Sequence, residues 1–346
     1  MTDALAARTT FGIGGSAAHF VEAASSADLV GAVRSADSRG EPVFVLSGGS
    51  NVLIGDALFP GTVIHVANLG RRQEASAGSI TLTVSAGETM DQIVALAIDQ
   101  KWAGLEALSG IPGLVGAAPV QNIGAYGSEI GPLVHSLTVW DRHLNQTRTL
   151  SGPACCFSYR DSVMKQSREP GQATGRYVVL EVRLRLTPSA MSGPIAYTEL
   201  ARTLDVPLGG RVPLADVRAA VLQLRRSKGM IVDATDKDSC SAGSFFTNPV
   251  LSPEVAAGLP PEAPRYAQPD GSVKTSAAWL IDHAGFPKGF GTGPAKLSTK
   301  HTLAITNRGG ATAEDVVALA RQIRAGVNAK FGITLEPEPV LVGVTL

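Results

Sequence analysis

The chain is poor in cysteine, in aromatic residues and in net charge. Its 346 residues include three cysteines, two of them adjacent (Cys155 and Cys156), and no CxxC or HExxH motif, so we expect neither a disulfide framework nor a metal site. Lysine plus arginine and aspartate plus glutamate both total 30. A net charge of zero argues against a protein whose main task is to hold a nucleic acid backbone, and we expect no nucleic-acid partner.

Long apolar runs are also missing. No stretch approaches the roughly 18 apolar residues that cross a bilayer. The first ten residues, MTDALAARTT, lack the basic and apolar segments of a secretory signal. We therefore expect a soluble cytoplasmic protein without a membrane partner, and we expect a monomer. The length predicts two or three domains, because one domain usually has roughly 100–200 residues.

Glycine and proline, with 38 and 21 residues, are what the chain has in excess, and they gather in a few sharp loops. Short β-branched runs predict strands at 42–46, 62–67, 79–87, 136–141 and 301–306, and the ending ITLEPEPVLVG is strand-like. Apolar residues at helical spacing predict a helix at 90–100. Start and stop signals predict three more, at 213–228 (Pro213 and Gly229), at 275–285 (Gly285) and at 312–330, where Thr312-Ala-Glu-Asp315 resembles a capping box. We expect an α+β protein, with a strand-rich N-terminal half and an α+β C-terminal third that begins near 190–212.

The run 176–188 carries the clearest strand pattern. Apolar residues at even positions from Val178 to Leu186 alternate with Val179, Glu181, Arg183 and Arg185. This period of two predicts one buried face and one wet face.

An early glycine motif, Gly12-Ile-Gly14-Gly15-Ser16-Ala17, fits the loose dinucleotide fingerprint GxGxx(G/A). That fingerprint must follow a buried strand and open a helix. Only eleven residues precede it here, and they do not read as a core strand. We therefore interpret the motif as a turn near the N-terminus.

A second glycine loop, Leu46-Ser-Gly-Gly-Ser-Asn51, directly follows the predicted strand 42–46. Gly48 and Gly49 let a backbone approach a pyrophosphate closely, and successive N–H groups there can form an anion nest to which Ser50 and Asn51 add donors. A simple β-turn between two strands explains the same residues, since Val52-Leu-Ile resumes a strand. Both interpretations remain open on this loop alone.

The third loop, 109–127, has five glycines and two prolines in nineteen residues. Such a density of small residues indicates a backbone that lies against something flat or large. A loop of this length inside a domain is usually functional or disordered. Its apolar residues, among them Ile111, Val115 and Ile123, argue against disorder. A functional loop and merely irregular packing are the two alternatives.

Five segments, taken together and in order, identify a family. They are RTTFGIGG (8–15), LSGGSNVLIGD (46–56), GIPGLVGAAPVQNIGAYG (110–127), FSYRDSVMK (157–165) and SAGSFFTNPV (241–250). With the LEPEPVLVG ending, the chain resembles the UDP-N-acetylenolpyruvoylglucosamine reductase (MurB) family over nearly its whole length. The resemblance is to the longer-chain class with a substrate-closing tyrosine loop.

The resemblance implies the fold and the reaction. The fold would be an FAD-binding core of the vanillyl-alcohol-oxidase type, built from two α+β subdomains at 1–66 and 67–205, and a C-terminal α+β substrate-binding domain at 206–346. The reaction would use NADPH and non-covalent FAD to reduce UDP-N-acetylglucosamine enolpyruvate to UDP-N-acetylmuramate, a precursor for peptidoglycan and the cell wall.

The resemblance also implies the roles of single residues. Ser244 matches the proton donor, Arg160 the arginine that faces the substrate carboxylate, and Glu338 the catalytic glutamate. Substrate-binding positions are implied at Tyr159, Arg160, Tyr197, Lys228, Asn248 and His301. Cofactor-binding positions are implied at Ser47, Gly48, Gly49, Ser50, Asn51, Gly110, Ile111, Pro112, Gly113, Gly116, Asn122, Gly124, Ala125 and Tyr126.

Without the resemblance these residues have ordinary explanations. Ser244 would be a turn or N-cap serine, Arg160 a surface ion-pair residue, Glu338 an exposed turn acid and His301 a surface histidine at the start of a strand. The match of all segments in order overturns these explanations together.

The chain also departs from the family pattern. Thr247 stands where a lysine is usual, and Pro339-Val340 stand where valine and arginine are usual. Both changes remove positive charge near an anionic substrate. Gly229-Met230 follow Lys228 where leucine and proline are usual, and Ala117 replaces the second glycine after Gly116.

Two other functions remain as alternatives. One is an FAD-linked oxidase of the same broad fold with another small substrate. The other is a non-catalytic regulator that binds a UDP-sugar. A covalent flavin is not supported, because the two glycine loops contain no histidine or cysteine.

Overall fold

A computed structural model describes residues 4–76 and 78–346. Residues 1–3, which begin the predicted subdomain 1–66, lie outside the described residues. The chain forms two compact units, and each is contributed by separated segments. Unit 1 contains Ala17–Gly48 and Phe59–Ser227, and unit 2 contains Ala4–Ser16, Gly49–Leu58 and Lys228–Leu346.

Both units contain helices and strands, in runs that do not alternate regularly, which confirms the predicted α+β class. The strands are β1 Ala17–Ala23, β2 Val43–Leu46, β3 Val52–Ile54, β4 Phe59–Val66, β5 Arg71–Ser76, β6 Ser79–Ser85, β7 Trp102–Ala103, β8 Gly124–Ala125, β9 Ser128–Glu129, β10 Val134–Asp141, β11 Gln146–Ser151, β12 Tyr177–Pro188, β13 Val250–Leu251, β14 Tyr266–Ala267, β15 Val273–Lys274, β16 Ala295–Leu297, β17 Ile305–Asn307 and β18 Val340–Val342. The helices are α1 Ser26–Ser38, α2 Met90–Asp99, α3 Val163–Gln166, α4 Thr198–Thr203, α5 Leu214–Ser227, α6 Pro253–Ala257, α7 Ala277–His283 and α8 Ala313–Phe331.

Unit 1 contains two sheets. A parallel sheet has the strand order β1-β4-β2, and α1 buries Leu29, Val33 and Ala36 in its core. An antiparallel sheet has the order β11-β10-β12-β6-β5, and α2 buries Ile93 and Val94 in the core that it shares with this sheet. The second glycine loop begins at the end of β2, and the third loop adds Val115 and Ala118 to the core that contains α2.

The long strand β12 differs from its prediction at one point. Thr138 of β10 pairs with Glu181, but the next residue pairs with Val179, so Leu180 has no partner in β10. The extra residue inverts the alternation of side chains. Val182 to Leu186 therefore face one core at even positions, while Val178 and Leu180 face the other. The predicted solvent-exposed face is thus restricted to the C-terminal end of the strand, from Glu181 onward.

Unit 2 is held together by segments that are far apart in sequence. β3, which follows the second glycine loop, pairs in parallel with β18, which follows Glu338. The Thr312 hydroxyl accepts a bond from the Asp315 N–H while the Asp315 carboxylate accepts from the Thr312 N–H, which confirms the predicted start of α8. The Asp56 carboxylate also accepts a bond from the Ala313 N–H, at 2.8 Å. This bond fixes the turn after β3 to the start of α8.

Most predicted elements are confirmed, and one predicted strand is shorter than expected. The helices at 90–100, 213–228, 275–285 and 312–330 are present as α2, α5, α7 and α8. The strand predicted at 301–306 is confined to Ile305–Asn307, because the buried Ser298 hydroxyl accepts bonds from the N–H groups of Lys300 and His301 and makes a turn there. No prediction was made for α1, β1, β5 and β11. The early glycine motif leads into β1 instead of a helix, so it is not a dinucleotide fingerprint. The turn beside it ends at Gly12, whose N–H donates to the Thr9 carbonyl, and the motif itself is irregular.

Two glycines inside helices give opposite predictions for alanine. A Cβ on Gly326 of α8 would overlap the ring of Phe286, with Cζ at 2.5 Å, and this ring is only 7% exposed. A Cβ on Gly31 of α1 would have no neighbour within 4 Å. We expect Gly326→Ala to lower the free energy of unfolding by about 1–3 kcal/mol through overpacking. Gly31→Ala should raise it by about 0.5–1 kcal/mol, because alanine favours the helix.

The measurement is denaturant unfolding of both variants, followed by circular dichroism. If Gly326→Ala is as stable as Gly31→Ala, the tight contact between α8 and Phe286 is wrong.

Candidate active site

The loop after β2 is shaped by close backbone contacts. Within unit 1, a Cβ on Gly48 would lie 2.7 Å from the Cα of Gly113, so the backbones of the second and third glycine loops touch. Within unit 2, Gly49 has φ +59° and a Cβ there would overlap the carbonyl oxygen of Arg8. Side chains larger than glycine are excluded at both positions.

The same loop carries a polar atom suited to a ligand. The Ser47 hydroxyl oxygen is buried and has no hydrogen-bond partner within residues 4–76 and 78–346. An unsatisfied buried hydroxyl is costly unless a ligand or water completes it. Together with the backbone N–H groups of the glycine turn, it fits the pyrophosphate of a dinucleotide such as FAD.

The start of the third loop is anchored by a carboxylate. Asp91 of α2 accepts bonds from the Gly110 N–H at 2.6 Å and from both terminal nitrogens of Arg218 on α5, at 2.6 and 2.9 Å. Burial by itself would raise the pKa of the Asp91 carboxyl, but these bonds outweigh it and hold the pKa below its ordinary value. Asp91 therefore stays ionised and ties the loop to two helices.

The end of the third loop meets the segment that carries Arg160. The Arg160 guanidinium donates to the carbonyl oxygen of Gly124 at 2.9 Å and reaches that of Asn122 at 3.5 Å. It also lies 5.6 Å from the centre of the Tyr159 ring, which is cation–π geometry. Arg160, Asn122 and Tyr126 all have positive φ, near 50°. Such backbone strain in residues other than glycine concentrates at functional sites.

Two predicted tyrosines also meet within unit 1. Tyr197 is the N-cap residue of α4 and is 43% exposed. Its ring lies edge-on to Tyr126, with 5.7 Å between the centres. Burial raises the pKa of Tyr126 to about 12, although the nearby Arg225 opposes this shift. Tyr126 is therefore a neutral phenol at pH 7.

Sequence reasoning missed Arg225. The arginine is 6% exposed, and its burial lowers its own pKa while Tyr126 and Asp91 raise it. Leu214, Val217 and Val221 line the buried face of α5, and Arg225 continues their spacing of three and four residues. An arginine at an apolar position of a helical stripe is the signal that could have found it.

Unit 2 brings Ser244 and His301 together. The Ser244 hydroxyl lies 3.4 Å from Nε2 of His301. The neighbouring Phe245 carbonyl accepts a bond from the Glu338 N–H at 2.9 Å. The Asn51 side chain donates to the Glu338 carbonyl oxygen at 3.3 Å. Four sequence-predicted positions, Ser244, His301, Glu338 and Asn51, thus share one region of unit 2.

The turn that carries His301 is held by Asp238, which sequence reasoning also missed. This aspartate is 5% exposed and accepts bonds from the Thr299 N–H and hydroxyl, at 2.8 and 2.7 Å, and from Arg308 at 2.9 Å. Burial would raise the pKa of Asp238, but these donors outweigh it and keep the pKa low. No motif marks this aspartate, because its partners lie about 60 residues away in sequence.

Two further predicted substrate positions, Asn248 and Lys228, lie beside the ends of helices. The Asn248 side-chain oxygen accepts a bond from the Ala277 N–H at 2.9 Å, so it helps to start α7. Lys228 is half-buried and directly follows α5, next to Gly229, whose φ is +65°.

Residues 4–76 and 78–346 contain no group of three or more His, Cys, Asp and Glu residues placed to hold a metal ion. Each helix in these residues is too short or too polar to cross a bilayer.

Comparisons with known proteins match both halves of the chain. A family model described as UDP-N-acetylenolpyruvoylglucosamine reductase, C-terminal domain, matches residues 235–342. A model described as an FAD binding domain matches residues 17–143. The second and third glycine loops both fall inside this second range.

Whole-length relatives carry one name. Proteins named UDP-N-acetylenolpyruvoylglucosamine reductase from Thermobifida fusca and Salinispora arenicola are 53% and 52% identical to the chain. The alignments cover 99% and 98% of this chain and 97% and 94% of the relatives. The crystal structure of the reductase of that family from Thermus caldophilus matches with a TM-score of 0.65 and 26% identity, over 99% of this chain and 98% of its own.

The contact between the two glycine loops gives a prediction. In Gly48→Ala the new methyl group would force the backbone at Gly113 to move, at a cost of about 1–3 kcal/mol. We expect FAD to bind about 10-fold or more weakly, because the loop can no longer keep its shape. The measurement is titration of the apoprotein with FAD. Gly193→Ala is the control, because a Cβ there meets nothing within 4 Å. An unchanged FAD affinity in Gly48→Ala would show that the loop contact does not support the cofactor.

Proposed function

The chain belongs to the UDP-N-acetylenolpyruvoylglucosamine reductase family, and on that premise we propose how its own residues carry out the family reaction. It is an FAD-dependent oxidoreductase of peptidoglycan precursor synthesis. With NADPH it reduces UDP-N-acetylglucosamine enolpyruvate to UDP-N-acetylmuramate. The observation that carries this function is the 53% identity to the Thermobifida fusca reductase over 99% of the chain.

FAD, when bound, would supply the hydride chemistry that links NADPH to the enolpyruvyl group. We propose that the second glycine loop holds its pyrophosphate, with Ser47, Gly48, Gly49, Ser50 and Asn51. The buried hydroxyl of Ser47 and the glycine backbone support this role. We propose that FAD also contacts these residues of the third loop: Gly110, Ile111, Pro112, Gly113, Gly116, Gly124, Ala125 and Tyr126.

Arg160 is proposed to stabilise the substrate carboxylate. When hydride adds to the enol ether, negative charge develops on the carboxylate as an enolate. A guanidinium stabilises that charge best when it is fixed before the reaction. The two loop carbonyls that accept bonds from Arg160, and the adjacent Tyr159 ring, support such a fixed position.

Ser244 is proposed to give a proton to the carbon next to the carboxylate. A serine hydroxyl is a weak acid, so the oxygen left behind needs a nearby donor. His301 is placed to supply it, since its Nε2 lies 3.4 Å from the Ser244 hydroxyl. Lys228 is a second candidate for stabilising the oxygen. Glu338 is proposed as the catalytic glutamate, and its backbone bond to Phe245 supports a place close to Ser244.

Substrate binding is proposed for Tyr197 and Asn248. A phenol at the exposed N-cap of α4 can donate one hydrogen bond to a phosphate oxygen while its ring shields the diphosphate from water. Asn248 would use its amide nitrogen, because its oxygen already accepts from Ala277.

The remaining proposals concern the setting of the reaction. We propose a monomer that acts in the cytoplasm, where NADPH and nucleotide sugars are available, without a nucleic-acid or membrane partner. We also propose that 1–66 and 67–205 serve the flavin and that 206–346 serves the substrate. No specific observation favours the oxidase or the regulator.

Ser244→Ala should separate the two halves of the reaction. The wild-type protein should be yellow, bleach with NADPH in the absence of air, and regain its colour with the enolpyruvyl substrate. In Ser244→Ala the bleaching should persist, because it needs no acid at this position. The return of colour should slow by about 10²–10⁴-fold, the usual effect of losing a positioned proton donor.

The measurement is stopped-flow absorbance of each half-reaction. Ser252→Ala, which removes the exposed N-cap serine of α6, is the control and should leave both rates unchanged. Equal slowing of both halves in Ser244→Ala would make Ser244 a structural residue.

Tyr197→Phe tests the substrate contact alone, because phenylalanine keeps the ring packed against Tyr126. A bond made equally to substrate and transition state affects KM and leaves kcat nearly unchanged. We expect KM for the UDP-sugar to rise by the equivalent of about 1–2 kcal/mol, with FAD content unchanged. Steady-state kinetics measure this, with Tyr266→Phe as the control on an exposed tyrosine. An unchanged KM would show that the Tyr197 hydroxyl does not bind the substrate, and loss of FAD would show that its role is structural.

A further inference from the structure

We propose that Asn122 is a positioning residue that holds Arg160 in its active conformation, and that its side chain does not bind the flavin. The proposal rests on the role proposed above for Arg160. It changes the role that the sequence assigned to Asn122, a cofactor contact.

The Asn122 side chain is fully committed inside the protein. The residue is 0% exposed. Its amide nitrogen donates to a carboxylate oxygen of Glu129 at 2.6 Å and to the carbonyl oxygen of Ser158 at 2.9 Å. Its amide oxygen accepts a bond from the Gly131 N–H at 2.8 Å. A primary amide has two N–H groups, and both are used by these protein partners.

One of these partners closes the turn on which Arg160 sits. The N–H of Ser158 donates to the carbonyl of Asp161, and the N–H of Asp161 donates to the carbonyl of Ser158, both at 3.1 Å. Arg160 lies inside this turn with φ 54°, a left-handed conformation that costs energy for a residue with a Cβ. The Ser158 carbonyl thus accepts from both Asp161 and Asn122. Asn122 therefore fixes the turn that keeps Arg160 in its strained conformation.

The Arg160 side chain returns to the same point. Its guanidinium donates to the Gly124 carbonyl at 2.9 Å and reaches the Asn122 carbonyl at 3.5 Å. Asn122, whose own φ is 49°, therefore contacts the arginine segment through its side chain and the arginine head group through its backbone. The Lys165 ammonium donates to the Arg160 carbonyl at 2.7 Å and holds the far side of the turn.

This arrangement makes the effect of Asn122 specific to one half of the reaction. Arg160 faces the carboxylate of the sugar substrate, which is absent when NADPH reduces the flavin. A misplacement of about 1 Å in a positioning group costs on the order of 10² in rate. Loss of the Asn122 amide should therefore slow hydride transfer to the enolpyruvyl group and spare the reduction by NADPH.

The test is Asn122→Ala in the FAD-loaded enzyme, with both half-reactions followed by stopped-flow absorbance. We expect an unchanged FAD content, a reductive rate within about two-fold of wild type, and an oxidative rate lower by about 10–100-fold. In an Arg160→Ala background the same substitution should slow the oxidative half by less than about three-fold, because residues that act through one another are not additive.

Asn145→Ala is the matched control. Asn145 has the same residue type and the same left-handed conformation, with φ 50°, but lies exposed in the turn between β10 and β11. It should leave both half-reactions unchanged, which separates the loss of the buried bonds from the strain that alanine introduces at positive φ.

A second variant covers the case in which Asn122→Ala does not fold. Glu129→Ala removes only one acceptor of the Asn122 amide, and it should slow the oxidative half alone, by a smaller factor. The proposal is overturned if either variant loses FAD or slows the reductive half equally, or if the effects of Asn122→Ala and Arg160→Ala are additive. A wild-type enzyme that does not regain colour with the enolpyruvyl substrate would instead refute the proposed function.

Discussion

The loops of the candidate site pack so closely at certain glycines that a Cβ at these positions would overlap a neighbouring segment. Gly48 touches Gly113, and a Cβ on Gly116 would lie 2.5 Å from the Cβ of Ala86. Contacts of this kind leave each loop with one shape, because no side chain is present that can adjust its position. The loops are therefore arranged before any cofactor binds, and the entropy of ordering them is lost during folding instead of during binding.

Loops without regular structure need other partners for their backbone groups, and buried polar side chains provide them. Three such side chains bond to the backbone of loops that carry proposed site residues. Asp91 and Asp238 accept bonds from backbone N–H groups, and Asn122 donates to a backbone carbonyl. A buried N–H or carbonyl without a partner costs as much as a lost hydrogen bond. Each of these three side chains therefore stabilises a conformation that the loop sequence alone does not favour.

The sequence predicted the periodic elements and the site residues that occur in motifs, but not the side chains that hold them. The helix α2 and the strand β12 followed from spacing, because apolar residues repeat at the period of each structure. The bulge at Leu180 did not, since it depends on the register with β10. Asp238 and Arg225 were missed for a related reason. Their importance comes from partners distant in sequence or from burial, and neither is visible in a local pattern.

The pairing of β3 with β18 has a consequence for the synthesis of the protein. Val52, Leu53 and Ile54 of β3 are buried, yet their partner strand at 340–342 is translated almost 300 residues later. At about 5–20 residues per second, the ribosome needs on the order of tens of seconds to supply it. During that interval unit 2 cannot complete its core, and an apolar strand waits with an open edge. Chaperone occupancy on the nascent chain should therefore be greatest on this segment, whereas the sheets of unit 1 close as soon as β12 has emerged.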